Sequence, residues 1–288
     1  MTSTLYVVAT PIGHLSDLSP RAGETLRSVA AVAAEDTRVT RVLLGHAGSK
    51  ARVFSAHAHN EASAAERVLA LLAEGHDVAL VSDAGTPAIS DPGSAIVAAA
   101  HDAGFTVTPV PGPSAVTALL SAAGLAPGPF LFEGFLPTRP AAREARLAIA
   151  CEAADRAGAI LALYEAPHRV GATLQAIVAR CGGERRVALG RELTKRFEEI
   201  YRGPAGGARD WLAARPERGK GEFVIAIEAA PRSAASDAEA GGDQARSVLA
   251  QLLAHMPTSA AVRLARELTG APHKALYAMA LEMRARDR

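Results

Sequence analysis

Cysteine is scarce in this sequence. The chain has 288 residues and two cysteines, Cys151 and Cys181, which are far apart and lack CxxC spacing. This argues against a zinc ribbon or a disulfide scaffold and favours a reducing compartment. Aromatic residues make up only 4% of the chain, although 49% of its residues are hydrophobic. A chain of this length can bury a sizeable core, and that core must consist mainly of Ala, Val, Leu and Ile.

An excess of charge of either sign is also absent, since 31 basic and 30 acidic side chains give a net charge of +1. Bulk charge therefore does not indicate polyanion binding, and any nucleic-acid surface must be local. No apolar run of the sequence approaches the roughly 18 residues of a membrane span. The N-terminal MTSTLYVVATPIG lacks the pattern of a signal peptide. We expect a cytoplasmic protein that does not associate with a membrane.

Short apolar runs alternate with helical patterns over residues 1–125. The runs are fully apolar over four or five residues, which is typical of a mostly parallel sheet covered on both faces. We expect Asp91 to cap a helix that starts near Ser94, with Pro92 in its first turn. The predicted strands are 5–9, 30–34, 78–81 and 106–110, and the predicted helices are 20–28, 61–74, 94–103 and 114–123.

Residues 126–230 repeat the alternation less regularly. FEEIYRG and GEFVIAIE alternate with a period of two, which indicates antiparallel pairs in a mixed sheet. The predicted strands are 130–135, 159–164, 187–190, 198–202 and 222–228, and the predicted helices are 143–154 and 170–180. The fold class is therefore α/β, with an N-terminal domain over 1–125 and a second α/β domain over 126–230.

A polar, glycine-rich stretch follows, and we interpret residues 231–246 as a linker. Residues 247–288 have apolar positions at helical spacing, interrupted by TGAP at 269–272, which predicts a small helical, helix-turn-helix-like extension. This extension carries six basic and three acidic residues. It either packs as a helical hairpin on the body or on a partner chain, or it contacts nucleic acid.

Glycine and proline cluster where three predicted strands end. The clusters are TPIG at 10–13, SDAGTP at 82–87 and PGPSA at 111–115. In a parallel α/β sheet, ligands bind outside the carboxyl ends of the strands, so the three turns predict a shared pocket floor. None of them is GxGxxG, which argues against an NAD enzyme and against the commonest class of methyltransferase.

Motifs along residues 5–228 resemble the tetrapyrrole-methylase superfamily, the class III S-adenosylmethionine-dependent methyltransferases. They are LYVVATPIGHLSDLSPRA, AAEDTR, HAHNE, VALVSDAGTPAISDPG, VPGPSAVTALLSAAGL, FLFEGFLP, YEAPHR, GRELTKRFEEIYRG and KGEFVIAIE, in this order. SDAGTPAISDPG, EGFLP and RELTK point to a branch of that superfamily that methylates ribosomal RNA. The resemblance covers the C-terminal helices more weakly.

The resemblance implies two α/β domains with S-adenosylmethionine in the cleft between them, and usually a homodimer. The implied reaction is 2′-O-methylation of a cytidine ribose (family position 1402) in the decoding centre of 16S rRNA, free or in the small ribosomal subunit. His14 replaces the family's usual Asn, and Thr258-Ser259 replaces a common basic pair. The implied cofactor-binding residues are Ile12, Gly13, Asp83, Ala84, Gly85, Thr86, Pro111, Ser114, Ala115, Tyr164, Glu165, Leu189, Gly190, Gly221 and Glu222.

The group that takes the proton of the ribose hydroxyl stays unassigned, because a general base is defined by its distance to the proton. The candidates are His59, Glu61, Glu192 and Lys195, with His57, Glu35 and Asp36 in neighbouring motifs. His57 and His59 lack the further ligands of a metal site, so we expect no metal.

Several basic residues in or beside these motifs are candidates for RNA contact, since a guanidinium suits phosphate. They are Arg38, Arg41, Arg169, Arg191, Lys195 and Arg196. Ordinary ion pairs with Glu192, Glu198 and Glu199 are the alternative.

Two other functions stay open at this point. The same fold and cofactor could serve a small-molecule acceptor such as a tetrapyrrole precursor, because function resides in the site and not in the fold. The chain could also be a non-catalytic RNA-binding assembly protein, although the intact SDAGTP and PGPSA turns argue against a degenerate pocket.

Overall fold

A computed structural model describes residues 3–231 and 245–286 of the chain. The chain divides into two compact units, Met1–Ala229 and Ala230–Arg288. Most of the predicted linker, residues 232–244, lies outside the described residues, while 245 and 246 are already helical. No described helix is both long enough and apolar enough to cross a membrane.

The first unit begins with a five-stranded sheet in the order β3-β2-β4-β1-β5, and all of its strand pairs are parallel. Every residue of β2 and β4 is buried, because helices cover both faces of the sheet. The predicted parallel sheet is thus confirmed. Its strands are β1 (Thr4–Val8), β2 (Ala31–Ala34), β3 (Arg52–Ser55), β4 (Val78–Val81) and β5 (Thr106–Val110), and its helices are α1 (Pro20–Ser28), α2 (Thr37–Ala47), α3 (Glu61–Ala73), α4 (Ser94–Asp102) and α5 (Ala115–Ala123).

A second five-stranded sheet completes this unit, in the order β6-β7-β10-β8-β9. β6 pairs with β7 in parallel and the other pairs are antiparallel, which confirms the predicted mixed sheet. Helix α5 packs on this sheet, and its Leu119 belongs to one buried cluster with Ala162 of β7 and Val224 of β10. The strands are β6 (Phe130–Phe135), β7 (Ile160–Glu165), β8 (Arg186–Arg191), β9 (Glu199–Pro204) and β10 (Phe223–Ile227), and the helices are α6 (Pro140–Ala157), α7 (Val170–Cys181) and α8 (Ala205–Ala213).

The start of α4 differs from the sequence expectation. Gly93, with φ of 130°, precedes the helix as its N-cap, so the prediction that Asp91 caps it is wrong. Glu61 supplies the missing acceptor: its Oε1 accepts hydrogen bonds from the N–H groups of Gly93 at 2.7 Å and Ala95 at 3.1 Å. Asp91 does not cap the helix and instead lines a cavity at the ends of the strands.

The second unit is a small helical bundle. It contains α9 (residues 245–253), α10 (Thr258–Thr269) and α11 (His273–Arg286), and Gly270 ends α10 in the left-handed conformation with φ of 68°. Leu249, Val262 and Leu276 are fully buried and belong to a core of this unit's own. The predicted helical extension is therefore confirmed.

Candidate functional site

A cavity of about 310 Å³ lies where the strands of both sheets end. We call it the strand-end cavity. Its volume falls within the range of about 300–1,000 Å³ that is typical of small-molecule sites. The loops after β1, β4, β5, β7 and β8 form it, together with the start of β10. It is lined by Ile12, Ala84, Gly85, Thr86, Ile89, Ser90, Asp91, Ser114, Ala115, Phe135, Tyr164, Glu165, Ala166, Pro167, Gly190, Leu193, Glu222, Phe223 and Val224.

Main-chain hydrogen bonds hold the first-sheet side of this cavity. The Thr10 N–H donates to the Gly85 carbonyl at 2.8 Å and the Gly85 N–H donates to the Thr10 carbonyl at 3.1 Å. Gly85 has φ of 82°, and Ala88 adopts the same unusual region with φ of 64°. A left-handed alanine is strained and persists only where the surroundings fix it. The turn after β4 is therefore a fixed wall of the cavity.

The charged side chains of the lining are all acidic. Asp91, Glu165 and Glu222 line the cavity, and within the described chain no Lys, Arg or His does. The Glu165 carboxylate is already satisfied, because it accepts from the Thr173 hydroxyl at 2.5 Å and pairs with Arg169 at 2.9 Å. Glu222 pairs with Lys195 at 2.8 Å. The lining suits a ligand with an apolar body and a positive charge.

Asp91 differs from the other two lining carboxyl groups in its electrostatic environment. Burial raises its pKa; a hydrogen bond from the Ser82 side chain opposes the shift, and the charge of Asp83 adds to it. Among the described residues, no cationic side chain lies within ion-pair distance of Asp91. The pKa of Tyr164 is also raised, first by burial and then by the charge of Asp91. A half-buried carboxyl group with a raised pKa in a cleft is a candidate for proton transfer.

The loop after β8 closes one side of the strand-end cavity. Glu192 and Thr194 have φ of 50° and 63°, and Lys195 Nζ lies 3.2 Å from Glu192 Oε1 as well as close to Glu222. Burial raises the pKa of Glu192, but the hydrogen bond from the Glu222 N–H and the Lys195 ammonium outweigh it, so that the pKa is lowered overall. For Lys195, burial alone would lower the pKa. The hydrogen bond from the Lys195 ammonium to Glu222 and the charge of Glu192 outweigh burial, so that the pKa of Lys195 is raised overall.

Two predicted cofactor-binding glycines pack against this loop. A Cβ on Gly13 would lie 2.5 Å from Lys195 Cγ, and a Cβ on Gly221 would lie 2.5 Å from Glu192 Cγ. Both glycines therefore allow close approach of the loop and do not line the cavity. His14 has a local role, since its Nδ1 accepts from the Ser16 N–H at 3.2 Å.

The structure brings ten of the fifteen predicted cofactor-binding residues into the lining. The other five, Gly13, Asp83, Pro111, Leu189 and Gly221, lie outside it. The Asp83 carboxylate accepts from the Asp36 N–H at 2.9 Å, and the Asp83 N–H donates to Glu35 at 3.3 Å. Burial raises the pKa of Glu35, and the charges of Asp91, Asp83 and Asp36 add to that shift. Asp83 thus connects the ends of β2 and β4.

The four candidates for the base lie at different distances from the cavity. His59 and Glu61 are outside the lining; the His59 N–H donates to His57 Nδ1 at 3.2 Å, and Glu61 caps α4. Glu192 and Lys195 lie behind Glu222 and neutralise each other. Asp91, which the sequence pattern assigned to a helix cap, is the lining carboxyl group that has no cationic partner among the described residues.

Two of the candidate RNA-binding arginines have partners inside the protein. Arg191 is 5% exposed and donates to the carbonyls of Lys220, Phe197 and Glu217. Arg169 is held by Glu165 and by the Leu136 carbonyl. All three nitrogens of the Arg191 guanidinium donate to main-chain carbonyls, and the Arg169 guanidinium is paired with the buried Glu165.

The remaining three arginines are exposed. Arg38 pairs with Asp36 at 2.6 Å, Arg41 lies on the surface of α2, and Arg196 lies over the Phe197 ring at 5.5 Å. These three stay candidates for contact with a polyanion.

A second cavity of about 370 Å³ adjoins the first and shares Ile89, Ser90 and Phe135 with it. We call it the side cavity. Strand β6 has a register irregularity between Phe132 and Gly134, and Gly134 has φ of 70°. Such bulges re-aim side chains next to active sites. Phe135 follows the bulge and is 57% exposed, beside Ile89 at 60%. The sequence analysis did not single out Phe135 or Ile89. The signal that could have indicated the bulge before Phe135 is Gly134, because a glycine inside a strand often marks a bulge.

In the part of the chain that the structure describes, no three His, Cys, Asp or Glu side chains are grouped as metal ligands. The residues of the strand-end cavity could hold an organic cofactor instead.

Comparison with known proteins identifies the family. Residues 4–208 match the family model of the Tetrapyrrole (Corrin/Porphyrin) Methylases, and residues 239–284 match that of the RsmI C-terminal HTH domain. A ribosomal RNA small subunit methyltransferase I from Xylella fastidiosa (strain Temecula1 / ATCC 700964) is 48% identical, over 95% of this chain and 97% of that protein. Its namesake from Escherichia coli O157:H7 is 46% identical, over 96% and 94%.

Among solved structures, uroporphyrin-III-C-methyltransferase from Thermus thermophilus is similar with a TM-score of 0.53 and 20% identity. The match covers 78% of this chain and 94% of that one, and at this identity it shows the fold alone. The family model covers most of the chain and the curated relatives match over almost its whole length. The chain therefore belongs to the tetrapyrrole methylase family of methyltransferases and, within it, to the ribosomal RNA small subunit methyltransferase I proteins.

Proposed function

We propose that this protein transfers a methyl group from S-adenosylmethionine to the 2′-hydroxyl of a cytidine ribose in the decoding centre of 16S rRNA. The observation that carries the proposal is the 41–48% identity, over almost the whole chain, to proteins named ribosomal RNA small subunit methyltransferase I. A small-molecule methylase of the same fold would not need to retain that similarity in its C-terminal unit.

The chemistry of the strand-end cavity fits S-adenosylmethionine. When bound, this cofactor supplies an activated methyl group on a positively charged sulfur. Ile12, Leu193 and Val224 would contact its apolar parts, and Gly85 and Gly190 allow main-chain groups to come close. The acidic lining, without a basic side chain among the described residues, favours a cationic ligand.

Asp91 is the proposed acceptor of the ribose proton. A ribose hydroxyl is a poor nucleophile, and a general base within hydrogen-bond distance accelerates such reactions by about 10²–10⁴-fold. Among the lining carboxyl groups, Glu165 and Glu222 have cationic partners, whereas Asp91 has the Ser82 hydrogen bond. Burial raises the pKa of Asp91, which makes its carboxylate a stronger base than an exposed aspartate.

The side cavity is the proposed place for the target base. Enzymes that act on a nucleotide within folded RNA commonly unstack it and stack its base on an aromatic side chain. Phe135 and Ile89 present an exposed apolar surface between the two cavities. The exposed Arg41 and Arg196 are the proposed contacts for phosphates around the target nucleotide, and Arg38 would join them by exchanging its pairing with Asp36.

The family resemblance also predicts a homodimer, and the cysteine usage and the lack of a membrane segment in the sequence predict a cytoplasmic location. Sedimentation equilibrium of the full chain tests the first of these expectations: the mass of two chains supports it, and the mass of one chain contradicts it.

Methyl transfer is tested with S-adenosylmethionine that is labelled in its methyl group. The full chain is incubated with assembled small subunits or naked 16S rRNA from a strain that lacks the modification, and in parallel with a tetrapyrrole precursor. We expect label in the RNA. Label only in the tetrapyrrole supports the small-molecule alternative, and cofactor binding without label in any acceptor contradicts the proposal.

A further inference from the structure

The two cysteines of the chain, distant in sequence, meet in the fold. Cys151 belongs to α6 and Cys181 is the last residue of α7, thirty positions later, and their Sγ atoms are 3.4 Å apart. Both are free thiols. Cys151 is buried in the core beneath the second sheet, whereas Cys181 is partly exposed. One of the two residues is thus partly exposed to solvent, and the other lies in the core with its sulfur next to the first.

The surroundings of Cys181 leave room for movement. A disulfide needs a sulfur separation of about 2.05 Å, so the two atoms must approach by about 1.4 Å. Helix α7 ends at Cys181, and two glycines follow it, Gly182 and Gly183, where no other atom lies within 4 Å of the position that a Cβ would take. Because glycine gives the backbone more conformational freedom than other residues, the end of this helix can adjust by this amount.

The charges around the pair make the two sulfurs different. The pKa of Cys181 is lowered to about 7, first by its hydrogen bond with Cys151 and also by the guanidiniums of Arg185 and Arg180, which outweigh burial. The pKa of Cys151 is raised by the same hydrogen bond and by burial. The thiolate is the reactive form of cysteine; the partly exposed Cys181 is therefore the attacking group, and the buried Cys151 is the resolving one.

We propose that Cys151 and Cys181 form an oxidisable dithiol site whose oxidant is a small-molecule disulfide of the glutathione type. The Cys181 thiolate attacks one sulfur of glutathione disulfide; a mixed disulfide forms, the original S–S bond breaks and one glutathione thiolate leaves. Cys151 then loses its proton to solvent and attacks the Cys181 sulfur, which releases the second glutathione. Two protein thiols are oxidised, and one disulfide is reduced to two thiols.

The new bond would join α6 to α7. Helix α7 follows the Glu165–Pro167 segment of the strand-end cavity, so the bond restrains an element that begins beside the site. A disulfide that closes a loop of thirty residues restricts the unfolded chain. For a domain of this size we expect Tm of the oxidised protein to rise by about 4 °C or more.

The test is intact-mass and peptide-mapping spectrometry of the full chain after incubation with glutathione disulfide. We expect a loss of two hydrogen atoms and a peptide that links Cys151 to Cys181. Cys151→Ala should stop at a glutathione adduct on Cys181, whereas Cys181→Ala should keep Cys151 reduced.

Other outcomes overturn the proposal. They are a stable glutathione adduct on the unsubstituted chain, disulfide-linked dimers, or two unreacted thiols. All three outcomes are measured on the unsubstituted protein, so the test remains valid even if one of the cysteine variants fails to fold.

Discussion

Asp91 is the residue on which the proposed chemistry depends most. We expect Asp91→Asn to slow the turnover of rRNA methylation by about 10²–10⁴-fold, with a smaller effect on cofactor affinity. Asp83→Asn is the matched control, because Asp83 is adjacent but lies outside the cavity lining. Initial rates at saturating cofactor give the comparison. A near-normal rate for Asp91→Asn would remove Asp91 from the mechanism.

The pKa of Asp91 also predicts pH dependence. A base must be ionised, and burial raises the pKa of Asp91 above that of an ordinary aspartate. Methylation should therefore fall with decreasing pH at a higher pH than an exposed aspartate would give. The stability of the fold has the opposite pH dependence from the methylation rate. A carboxyl group whose pKa is raised in the folded state stabilises the fold at low pH, and this stabilisation is lost as the pH rises through that pKa. Asp91→Asn should accordingly unfold at an equal or higher temperature at pH 7, which separates lost chemistry from lost folding.

Phe135 is the residue that we expect to hold the target base. Stacking of a base on an aromatic ring contributes about 1–3 kcal/mol, so Phe135→Ala should lower kcat/KM for rRNA by roughly 5- to 150-fold and Phe135→Tyr should restore it. Phe130→Ala is the control, since Phe130 is 49% exposed at the other end of β6. Calorimetry must show that cofactor affinity is retained, because Phe135 also lines the strand-end cavity. Equal rates for the Phe130 and Phe135 variants would argue against the base site.

At the scale of elements, Glu61 connects the first turns of α3 and α4. Glu61→Ala removes the acceptor for two N–H groups at the start of α4. We expect a loss of about 1 kcal/mol in the free energy of unfolding, measured by urea denaturation, and an unchanged methylation rate per folded molecule. If the folded variant instead methylates rRNA more slowly by about 10²-fold or more, as the loss of a general base would cause, Glu61 returns to the catalytic candidates.

The loop after β8 depends on close contact with Gly221. Gly221 and Gly75 have φ of 94° and 85°, but only at Gly221 would a Cβ meet other atoms, at 2.5 Å from Glu192. Gly75→Ala should therefore show only backbone strain of about 1 kcal/mol. Gly221→Ala should in addition displace Glu192 and Lys195 from Glu222, and weaken cofactor binding about tenfold or more by calorimetry. Equal affinities in the two variants would exclude the loop from the site.

How much the sequence predicts differs between elements. The strand β4 could be predicted because it is buried on both faces and so is continuously apolar. Helix α2 was missed, because Thr37, Val39 and Val42 are β-branched and favour strands locally; the helix forms because Leu43 and Leu44 pack in the core.

The candidate site could also be predicted from the sequence only in part. The glycine and proline turns that end the strands indicate its location, but they do not predict that Asp91 lines the cavity after a left-handed Ala88, or that Phe135 does so after a bulge in β6. Arg191 resembles an exposed arginine in sequence, and its burial depends on carbonyl partners that are distant along the chain. Such contacts have no local sequence signal.

At the scale of the whole molecule, the first unit contains both sheets and the strand-end cavity, and the second unit has a helical core of its own. The family models match the two parts separately, at residues 4–208 and 239–284. The first unit therefore contains the candidate site for methyl transfer, and we assign the recognition of a large RNA to the whole chain.

The product nucleoside tests this account most directly. After reaction of the full chain with small subunits that lack the modification, 16S rRNA is digested to nucleosides and analysed by mass spectrometry. We predict 2′-O-methylcytidine, with the added methyl group on the ribose fragment, and its loss in the Asp91→Asn variant. A methyl group on a base, or no methylated nucleoside from protein that binds the cofactor, would contradict the proposed function.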